Sequence, residues 1–423
     1  MIVDAFSTGA LLAPVFKQLD FLMIHIQTSN HIAQRLIRSF VPTDFDHCLT
    51  YETHTIHEVL NLLQKFSIIC VVPGQESGVI LADELALHLG IQKNNAEKTL
   101  ARRSKYFMHE ALKVEHLLSA EQIKSASIDE ILKWYREQTF QKVVVKPEYA
   151  ASSEGVTFCK NETEVIRAFQ TTIDTKNFCG IINDELVVQE YLSGDEFIVN
   201  TMSVNGEHFI TDIWLGVDED EEKISADLYA RLLHPEEENY TALSDYVKKV
   251  LSCVGLNTGP AHVEVRCTPK GPALIEIGAR LSGTLSPKAC QFATGFNPIE
   301  LAVDTYVRPE RAVQMLRQGR GALRHAKLVY FCSNTAGTIL HQPDLTPMYA
   351  LPSVQDMMIM VRKGDYLLKT SEVAGRPGFA YLVHDDPEKL EQDYKQFLKL
   401  EQALYQSMLR PDRAVSNALK TDY

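Results

Sequence analysis

The stretch that decides the fold is Gly259–Gly283, GPAHVEVRCTPKGPALIEIGARLSG. Its halves AHVEVRC and ALIEI have the alternating or continuous apolar pattern of β-strands. The segment TPKGP between them is turn sequence, because Pro fixes φ and Gly accepts a positive φ. The stretch therefore predicts a β-hairpin. Each strand also carries one glutamate between apolar neighbours, Glu264 and Glu276, and a carboxylate in such a position is costly unless it is paired.

The predicted hairpin explains the two acids if they face each other. With the turn centred on Lys270, Glu264 pairs with Glu276, and the Cβ atoms lie about 5 Å apart. Two carboxylates so placed repel each other unless one is protonated or a cation lies between them. An all-oxygen pair suits Mg²⁺ or Mn²⁺ better than zinc. The alternative is a structural ion pair of one glutamate with Arg266 or Arg280.

The composition limits the classes of function. A chain of 423 residues is long enough for two or three domains. The net charge of −13 argues against nucleic acid or an anionic membrane as a partner, because both are polyanions. No apolar run reaches the roughly 20 residues of a membrane helix. Eight cysteines without CxxC spacing and fourteen histidines without HExxH predict a cytoplasmic protein without zinc.

The N-terminal part has the pattern of a small α/β unit. The apolar segments FLMIHIQT and SIICVV predict strands, and helix-patterned segments follow each of them. Strand, loop and helix in this order predict a parallel sheet with a ligand crevice at the carboxyl ends of its strands. Glu76, in the turn PGQESG, would face that crevice, or it is simply an acid that opposes a helix dipole.

The rest of the chain changes from helical to strand patterns. Residues 96–135 predict helix and include Arg102, Arg103 and Lys105. Then LVVQEYL, DEFIVNTMSV and EHFITDIWL predict three strands joined by SG and by Asn205-Gly206, a strong hairpin signal. The acidic run at 218–222, DEDEE, predicts a solvated loop. More strands and an amphipathic helix follow residue 320.

A lysine and a loop of small residues precede the three strands. Lys146 ends the predicted strand QKVVVKP, and AASSEG follows it. The backbone N–H groups and hydroxyls of such a loop can cradle phosphate oxygens. This is not a Walker A motif, because the lysine precedes the loop and no GK[ST] is present.

Taken in order, these motifs resemble the ATP-grasp carboxylate–amine ligases, over roughly residues 1–320 and more loosely beyond. The resemblance implies a mixed α/β (α+β) architecture, the ATP-grasp fold. A Rossmann-like pre-ATP-grasp domain would cover residues 1–95, and the ATP-grasp domain 96–320, with a mobile lobe at about 140–212. A C-terminal α+β region would cover 321–423.

The resemblance also implies roles for individual residues. Arg280 is the expected catalytic residue, and Glu264 and Glu276 are the expected metal ligands. The expected nucleotide-binding residues are the two phosphate lysines, the phosphate loop, the adenine linker and the ribose acid: Lys105, Lys146, Ser152, Ser153, Gly155, Gln189, Glu190, Tyr191, Leu192 and Glu196. Many members of the family carry Asn two residues after the second glutamate as a further metal ligand. This chain has Gly278 there, which implies an incomplete three-residue site and one metal held more loosely.

The implied activity is an ADP-forming, ATP-dependent ligation of a carboxylate to an amine through an acyl phosphate. ATP and Mg²⁺ or Mn²⁺ would be the cofactors, and small carboxylate and amine substrates, amino acids above all, would be the partners; a homodimer stays open. The amino-acid sequence of the hairpin most resembles that of the dipeptide-forming L-amino-acid ligases. Alternatives are another acid, an ammonia, thiol or bicarbonate acceptor, or a nucleotide-binding module without catalysis.

Overall fold

The computed structural model describes residues 1–140, 142–150, 153–177, 180–217, 229–319, 323–370 and 375–411, without the side chains of 34, 35, 410 and 411. The chain forms two compact units. The first comprises Met1–Ile213, Pro235–Leu285 and Pro298–Gly319, and the second Trp214–His234, Ser286–Asn297 and Arg320–Tyr423. The domain division at residues 95 and 320 stays a prediction. The acidic run 218–222 lies outside the described residues.

Strands and helices alternate along much of the chain. The strands of the described residues are β1 (Ile2–Val3), β2 (Ile24–Gln27), β3 (His47–Thr50), β4 (Val72–Pro73), β5 (Gln122–Ser125), β6 (Val143–Pro147), β7 (Thr157–Cys159), β8 (Leu186–Glu190), β9 (Asp195–Val204), β10 (Glu207–Val217), β11 (Tyr229–Leu232), β12 (Gly259–Thr268), β13 (Gly271–Gly278), β14 (His325–Tyr330), β15 (Gly337–Ile339), β16 (Val354–Ile359), β17 (Tyr366–Leu367), β18 (Gly378–His384) and β19 (Leu409–Pro411). The α-helices are α1 (Leu12–Lys17), α2 (Gln34–Ile37), α3 (Ile56–Leu63), α4 (Val79–His88), α5 (Lys105–Val114), α6 (Ile128–Glu137), α7 (Glu162–Thr172), α8 (Tyr240–Cys253), α9 (Pro287–Thr294), α10 (Pro298–Val307), α11 (Pro309–Gln318), α12 (Thr346–Tyr349) and α13 (Pro387–Met408).

The first unit begins with the expected parallel sheet, in the strand order β3-β2-β1-β4. Its apolar face packs against α3 and α4 through residues such as Ile26, Val59 and Leu85. The strand order reverses between β1 and β4, and ligand crevices of α/β sheets lie at such a switch point. The short 3₁₀ helix Glu76–Gly78 directly follows β4, so Glu76 lies at this crevice.

A second sheet of the first unit has the order β5-β8-β6-β7, and its core includes side chains of α6 and α7. It corrects two predictions. Residues 96–135 are not continuously helical, because Gln122–Ser125 pairs with β8 as a strand. The SG dipeptide does not join a hairpin either, because β8 belongs to this sheet and β9 to another. Pairing partners far along the chain decide both cases.

The remaining strands of the first unit include the order β13-β12-β9-β10. β12 pairs antiparallel with β9 along its length and with β13 across the hairpin. The turn between β9 and β10 is Asn205-Gly206, as predicted, and both residues have positive φ, 51° and 86°. Such angles are those of the tight hairpin turns that match the twist of the strands.

The second unit has a sheet in which the Trp214–Val217 end of β10 pairs with β11, followed by β14, β18 and β16. A small sheet, β17-β15-β19, lies in the same unit. The apolar face of the long helix α13 contributes Tyr394, Phe397 and Leu404 to the core of this unit. Among the described residues, no helix is both long and apolar enough to cross a membrane.

Candidate active site

The hairpin pairs Glu264 with Glu276, as predicted, but for a different reason. The turn consists of Pro269 and Lys270 and is centred between them, which on its own would place Ile275 opposite Glu264. A one-residue β-bulge at Ile275 brings Glu276 opposite Glu264 instead. Because side chains alternate along a strand, this single extra residue re-aims the second carboxylate.

Each glutamate has a different partner. The Lys105 Nζ lies 2.9 Å from Glu276 Oε1, and the His262 Nε2 lies 3.6 Å from Glu264 Oε1. Lys105 is the first residue of α5 and is buried. Within the described contacts, neither glutamate forms the ion pair with Arg266 or Arg280 that was the alternative interpretation.

The electrostatics distinguish the two carboxylates. Burial, reinforced by the charges of Glu76 and Glu264, raises the pKa of Glu276 above its usual value although Lys105 and Lys146 oppose the shift. Burial also acts on Glu264, but the hydrogen bond and charge of His262 and the positive charge of Arg280 outweigh it and lower the pKa of that carboxyl. The pair thus contains one stabilised carboxylate and one that gains from a nearby cation.

Lys146 is the second cation beside the glutamates. It ends β6 and is buried. Burial lowers the pKa of Lys146 to about 8, Glu276 and Glu264 oppose this shift, and the neighbouring Lys105 adds to it. A lysine with such a pKa gains free energy from any anion that enters the site, because an anion stabilises its charged form.

The predicted phosphate loop follows β6, and the structure describes only part of it. Ser152 lies outside the described residues. Ser153 and Gly155 both have positive φ, 59° and 69°, and a Cβ on Gly155 would lie 2.9 Å from the Pro147 side chain. The loop therefore requires glycine at position 155 on two grounds.

Arg280 forms a contact that the hairpin sequence did not indicate. Its Nη2 lies 2.9 Å from Oε2 of the buried Glu76. Burial opposes ionisation of Glu76, yet the charges of Arg280, Arg103 and Lys105 lower its pKa to about 2. The sequence placed Glu76 in the crevice but gave it no role; its position after β4 at the switch point was the available signal.

Three buried polar atoms around this ion pair have no hydrogen-bond partner, namely Glu76 Oε1, Arg280 Nε and Arg103 Nη1. Buried polar groups are usually satisfied, because an unsatisfied one carries its full desolvation cost. An acceptor and two donors of opposite charge are therefore available side by side. This set suits a ligand that carries both a positively and a negatively charged group.

The predicted adenine linker and ribose acid lie at the end of β8 and the start of β9. Gln189 Nε2 donates to Gln122 Oε1 at 2.7 Å, and the Lys142 Nζ lies 3.6 Å from the centre of the Tyr191 ring. Arg266 donates to Glu196 at 2.8 Å and to the Tyr191 hydroxyl at 2.9 Å. The cross-strand ion pair, which was the alternative interpretation of Glu196, is thus present. Glu190 and Leu192 are half-buried.

Comparison with known proteins shows which proteins the chain resembles. Residues 139–288 match the ATP-grasp domain family. Over 419 residues the chain is 29% identical to dapdiamide A synthase of Enterobacter agglomerans, and the match covers 96% of both chains. The crystal structure of an L-amino acid ligase from Bacillus licheniformis has a TM-score of 0.76 at 18% identity, over 94% of this chain and 96% of that one. The biotin carboxylase domain dimer of Hydrogenobacter thermophilus 2-oxoglutarate carboxylase, solved with MgADP, ADP and bicarbonate, has a TM-score of 0.64 at 13% identity, over 94% and 89%.

Residues 139–288 therefore carry an ATP-grasp domain, and over nearly its whole length the chain is similar to an ATP-grasp carboxylate–amine ligase. It is an ATP-dependent, ADP-forming ligase with a mixed α/β ATP-grasp architecture, and the sequence-based expectation of that fold and activity is confirmed.

Gly278, the departure from the usual ATP-grasp pattern, has a structural reason. A Cβ at this position would lie 3.2 Å from Cζ of Arg280 and 3.4 Å from its Nε. The guanidinium therefore lies directly against the glycine, in space that an asparagine side chain would need. In this chain a glycine that leaves room for Arg280 stands where the usual ATP-grasp pattern has asparagine.

The hairpin offers two facing carboxylates, Glu264 and Glu276, to a divalent cation. Within the described part of the chain, no group of three or more His, Cys, Asp or Glu side chains is arranged to hold a metal. Two facing carboxylates remain, and Mg²⁺ commonly takes one or two carboxylates together with phosphate oxygens and water. Burial and the charges of Glu76 and Glu264 raise the pKa of Glu276, so a cation beside it would favour its charged form. The residues therefore fit Mg²⁺ held jointly with a nucleotide.

Proposed function

We propose that this ATP-grasp enzyme joins the carboxylate of one small L-amino acid to the amine of a second, through an acyl phosphate. A carboxylate oxygen of the donor attacks the γ-phosphorus, and the bond between that phosphorus and ADP breaks. The amine nitrogen of the acceptor then attacks the acyl carbon, phosphate leaves, and the ammonium proton is lost to solvent. The products are an amide, ADP and phosphate.

The nucleotide would occupy the space between the lysines and the linker. Lys105 and Lys146 would hold phosphate oxygens, and the loop with Ser152, Ser153 and Gly155 would close over them. The backbone of Gln189–Leu192 would contact adenine. Glu196 would bind the ribose, and its hydrogen bond with Arg266 would then be given up in part. Glu264 and Glu276 would hold Mg²⁺ or Mn²⁺, which when bound neutralises triphosphate charge.

The donor amino acid would lie against the Glu76–Arg280 pair. Its ammonium can donate to the unpartnered Glu76 Oε1, while Arg280 and Arg103 face its carboxylate with unpartnered donors. The two charges of an α-amino acid are separated by one carbon, and the Glu76–Arg280 pair supplies opposite charges at contact distance. Arg280 would then stabilise the charge that develops as the acyl phosphate forms and breaks.

One observation carries the proposal: facing carboxylates, two buried lysines and a buried Glu–Arg pair lie together in one site. Catalysis of phosphoryl transfer depends mostly on positioning and charge stabilisation, and these groups supply both. Neither a serine nor a cysteine in a nucleophile motif is needed, because the substrate's own carboxylate is activated.

An isotope experiment tests the proposal. With an ¹⁸O-labelled carboxylate donor and a second amino acid, one label should appear in phosphate, together with ADP and a dipeptide. AMP and pyrophosphate would contradict the acyl-phosphate step. Label transfer without a dipeptide would retain that step and replace the acceptor by another amine, ammonia, a thiol or bicarbonate. No nucleotide hydrolysis with any carboxylate would favour a binding module.

A further inference from the structure

Three consecutive residues at the start of α5 contact three consecutive residues after β6. Arg103 Nη2 donates to the Tyr149 carbonyl oxygen, and the guanidinium lies 5.2 Å from the centre of the Tyr149 ring. The Lys105 Nζ donates to the Ala150 carbonyl oxygen, and the Lys105 N–H donates to the Glu148 carbonyl oxygen at 3.4 Å. The elements that carry Lys105 and Lys146 are thus joined directly.

Glu148 makes the side-chain link in this set. It is buried, only two residues after Lys146, and neither the phosphate motif nor the metal pair includes it. The Ser104 hydroxyl donates to one of its carboxylate oxygens, and the Lys124 Nζ donates to the other at 3.2 Å. Both oxygens of a buried carboxylate therefore have a donor.

Ser104 is well placed to transmit this link to Lys105. Its hydroxyl oxygen accepts hydrogen bonds from the backbone N–H groups of Tyr106 and Phe107, at 3.2 and 3.1 Å, and so caps α5. The same hydroxyl uses its proton for Glu148. These hydrogen bonds fix both the orientation of the Ser104 hydroxyl and the first turn of α5. Lys105 is the first residue of that turn.

We propose that Glu148 is a positioning residue, which through Ser104 fixes Lys105 relative to Lys146 and so sets the geometry of the phosphate-binding cradle. This inference rests on the proposed function, in which both lysines bind ATP. Two ammonium groups close enough to interact repel each other. A cradle of like charges therefore needs a rigid frame, and the contacts between residues 103–105 and 148–150 supply it.

The two possible roles of Glu148, negative charge and positioning, predict opposite changes in ATP affinity when the residue is removed, which makes the proposal testable. If Glu148 acted only as a negative charge near the site, its removal would strengthen the binding of an anionic nucleotide. If it positions the lysines, its removal weakens that binding despite the loss of a negative charge. Glu185 offers a matched control, because it is the other carboxylate on Lys124, at 3.0 Å, and is partly exposed. Lys124 also retains Glu185 when Glu148 is replaced, so the variant does not leave this half-buried lysine without a partner.

The experiment measures the affinities of the full chain for ATP and for adenosine, both with Mg²⁺, in the wild type, Glu148→Ala, Glu148→Gln and Glu185→Gln. We expect Glu148→Ala to lose about tenfold in ATP affinity, the usual scale for a hydrogen bond to a charged group, with adenosine affinity unchanged. Glu148→Gln still accepts from Ser104 and should stay close to the wild type. Ser104→Ala and Glu148→Ala together should cost less than the sum of the two single losses, because both variants remove the contact between Ser104 and Glu148.

Several outcomes would overturn the inference. Unchanged or stronger ATP binding by Glu148→Ala would show that the residue acts only by charge or not at all, and equal losses for ATP and adenosine would indicate a general structural effect. A different result would tell against the proposed function itself: wild-type protein that binds ATP no more tightly than adenosine, with Lys105→Ala without effect. In that case the lysines do not form a phosphate cradle, and the role of Glu148 falls with it.

Discussion

Arg280 and Glu76 are 204 positions apart in the sequence and form a buried ion pair at 2.9 Å. The pair joins the end of the Glu264–Glu276 hairpin to the carboxyl end of β4, where the parallel sheet has its switch point. A buried ion pair stabilises a protein little, because desolvation offsets much of the attraction. Its position beside unpartnered buried donors and acceptors therefore points to substrate binding.

The contact between Gly278 and Arg280 leads to the first prediction. Gly278→Ala places a methyl group 3.2 Å from the Arg280 Cζ, so the guanidinium must shift by a few tenths of an ångström. We expect kcat to fall by about tenfold, less than the roughly 100-fold cost of a 1 Å misplacement in other enzymes, while ATP affinity stays within about twofold. Gly283→Ala is the control, because a Cβ there meets no heavy atom within 4 Å. Equal activities of the two variants would contradict the assignment of Arg280.

Glu76→Gln tests the recognition of the donor ammonium. Loss of the charge should raise KM for the donor amino acid by about tenfold or more, the scale for a charged hydrogen bond, and leave KM for ATP nearly unchanged. Glu97→Gln, at an exposed position, removes the same charge elsewhere. A parallel rise in both KM values would instead indicate a general disturbance of the site.

Glu76 also predicts how stability depends on pH. Its pKa in the folded protein is about 2, against 4.5 for an unperturbed glutamate. A lowered folded pKa contributes stability above the unfolded value, and this contribution is lost as pH falls from 4.5 towards 2. The free energy of unfolding of the wild type should therefore approach that of Glu76→Gln over this range, measured by urea denaturation. A gap that widens on acidification would contradict the pairing.

The hairpin could be predicted from the sequence because its signals are local. Alternating apolar residues, a turn sequence and two acids identified Glu264 and Glu276, and their family order led to Lys105 and Lys146. The bulge at Ile275 could not be predicted, because it depends on how β13 meets its partner strand. The correct pair emerged because the bulge offset the wrong turn centre.

Long-range partners account for the other differences. The strand Gln122–Ser125 has a mostly polar sequence and forms only because β8 pairs with it. The Arg280–Glu76 contact joins two segments whose sequences carry no mutual signal. Glu148 looks like an ordinary polar residue of a loop, and only the folded chain brings Ser104 to its carboxylate. Patterns of period and spacing identify residue types, whereas such contacts arise from tertiary packing.

The facing carboxylates predict a linkage between Mg²⁺ and stability. The folded pKa of Glu276 is raised, so its contribution to stability is present at low pH and is lost as pH rises from the unperturbed 4.5 through the folded value. Glu276→Gln does not titrate, so its free energy of unfolding without metal should increase relative to that of the wild type as pH rises above 4.5.

The same variant should abolish ligation and lose the stabilisation that MgADP gives the wild type. Thermal unfolding with and without MgADP measures this, and Glu97→Gln again serves as the control. Turnover close to that of the wild type at low Mg²⁺ concentration would contradict the metal assignment.

Lys146 gives a prediction about protons. In the free protein burial lowers its pKa to about 8, against 10.5 for an unperturbed lysine. A phosphate group beside the ammonium favours the charged form and raises that pKa. At pH 8 to 9 a part of the lysines is neutral before ATP binds and charged afterwards, so binding should take up a fraction of one proton. Calorimetry in buffers of different ionisation enthalpy measures this number.

Lys146→Met should abolish the uptake and weaken ATP binding by about tenfold or more. Lys146→Arg should show the same two losses, because the guanidinium does not replace a compact ammonium. Lys133→Met, at an exposed position of α6, controls for the lost charge. Proton uptake that persists in Lys146→Met would assign the titration to another group and remove the physical basis for placing this lysine on the phosphates.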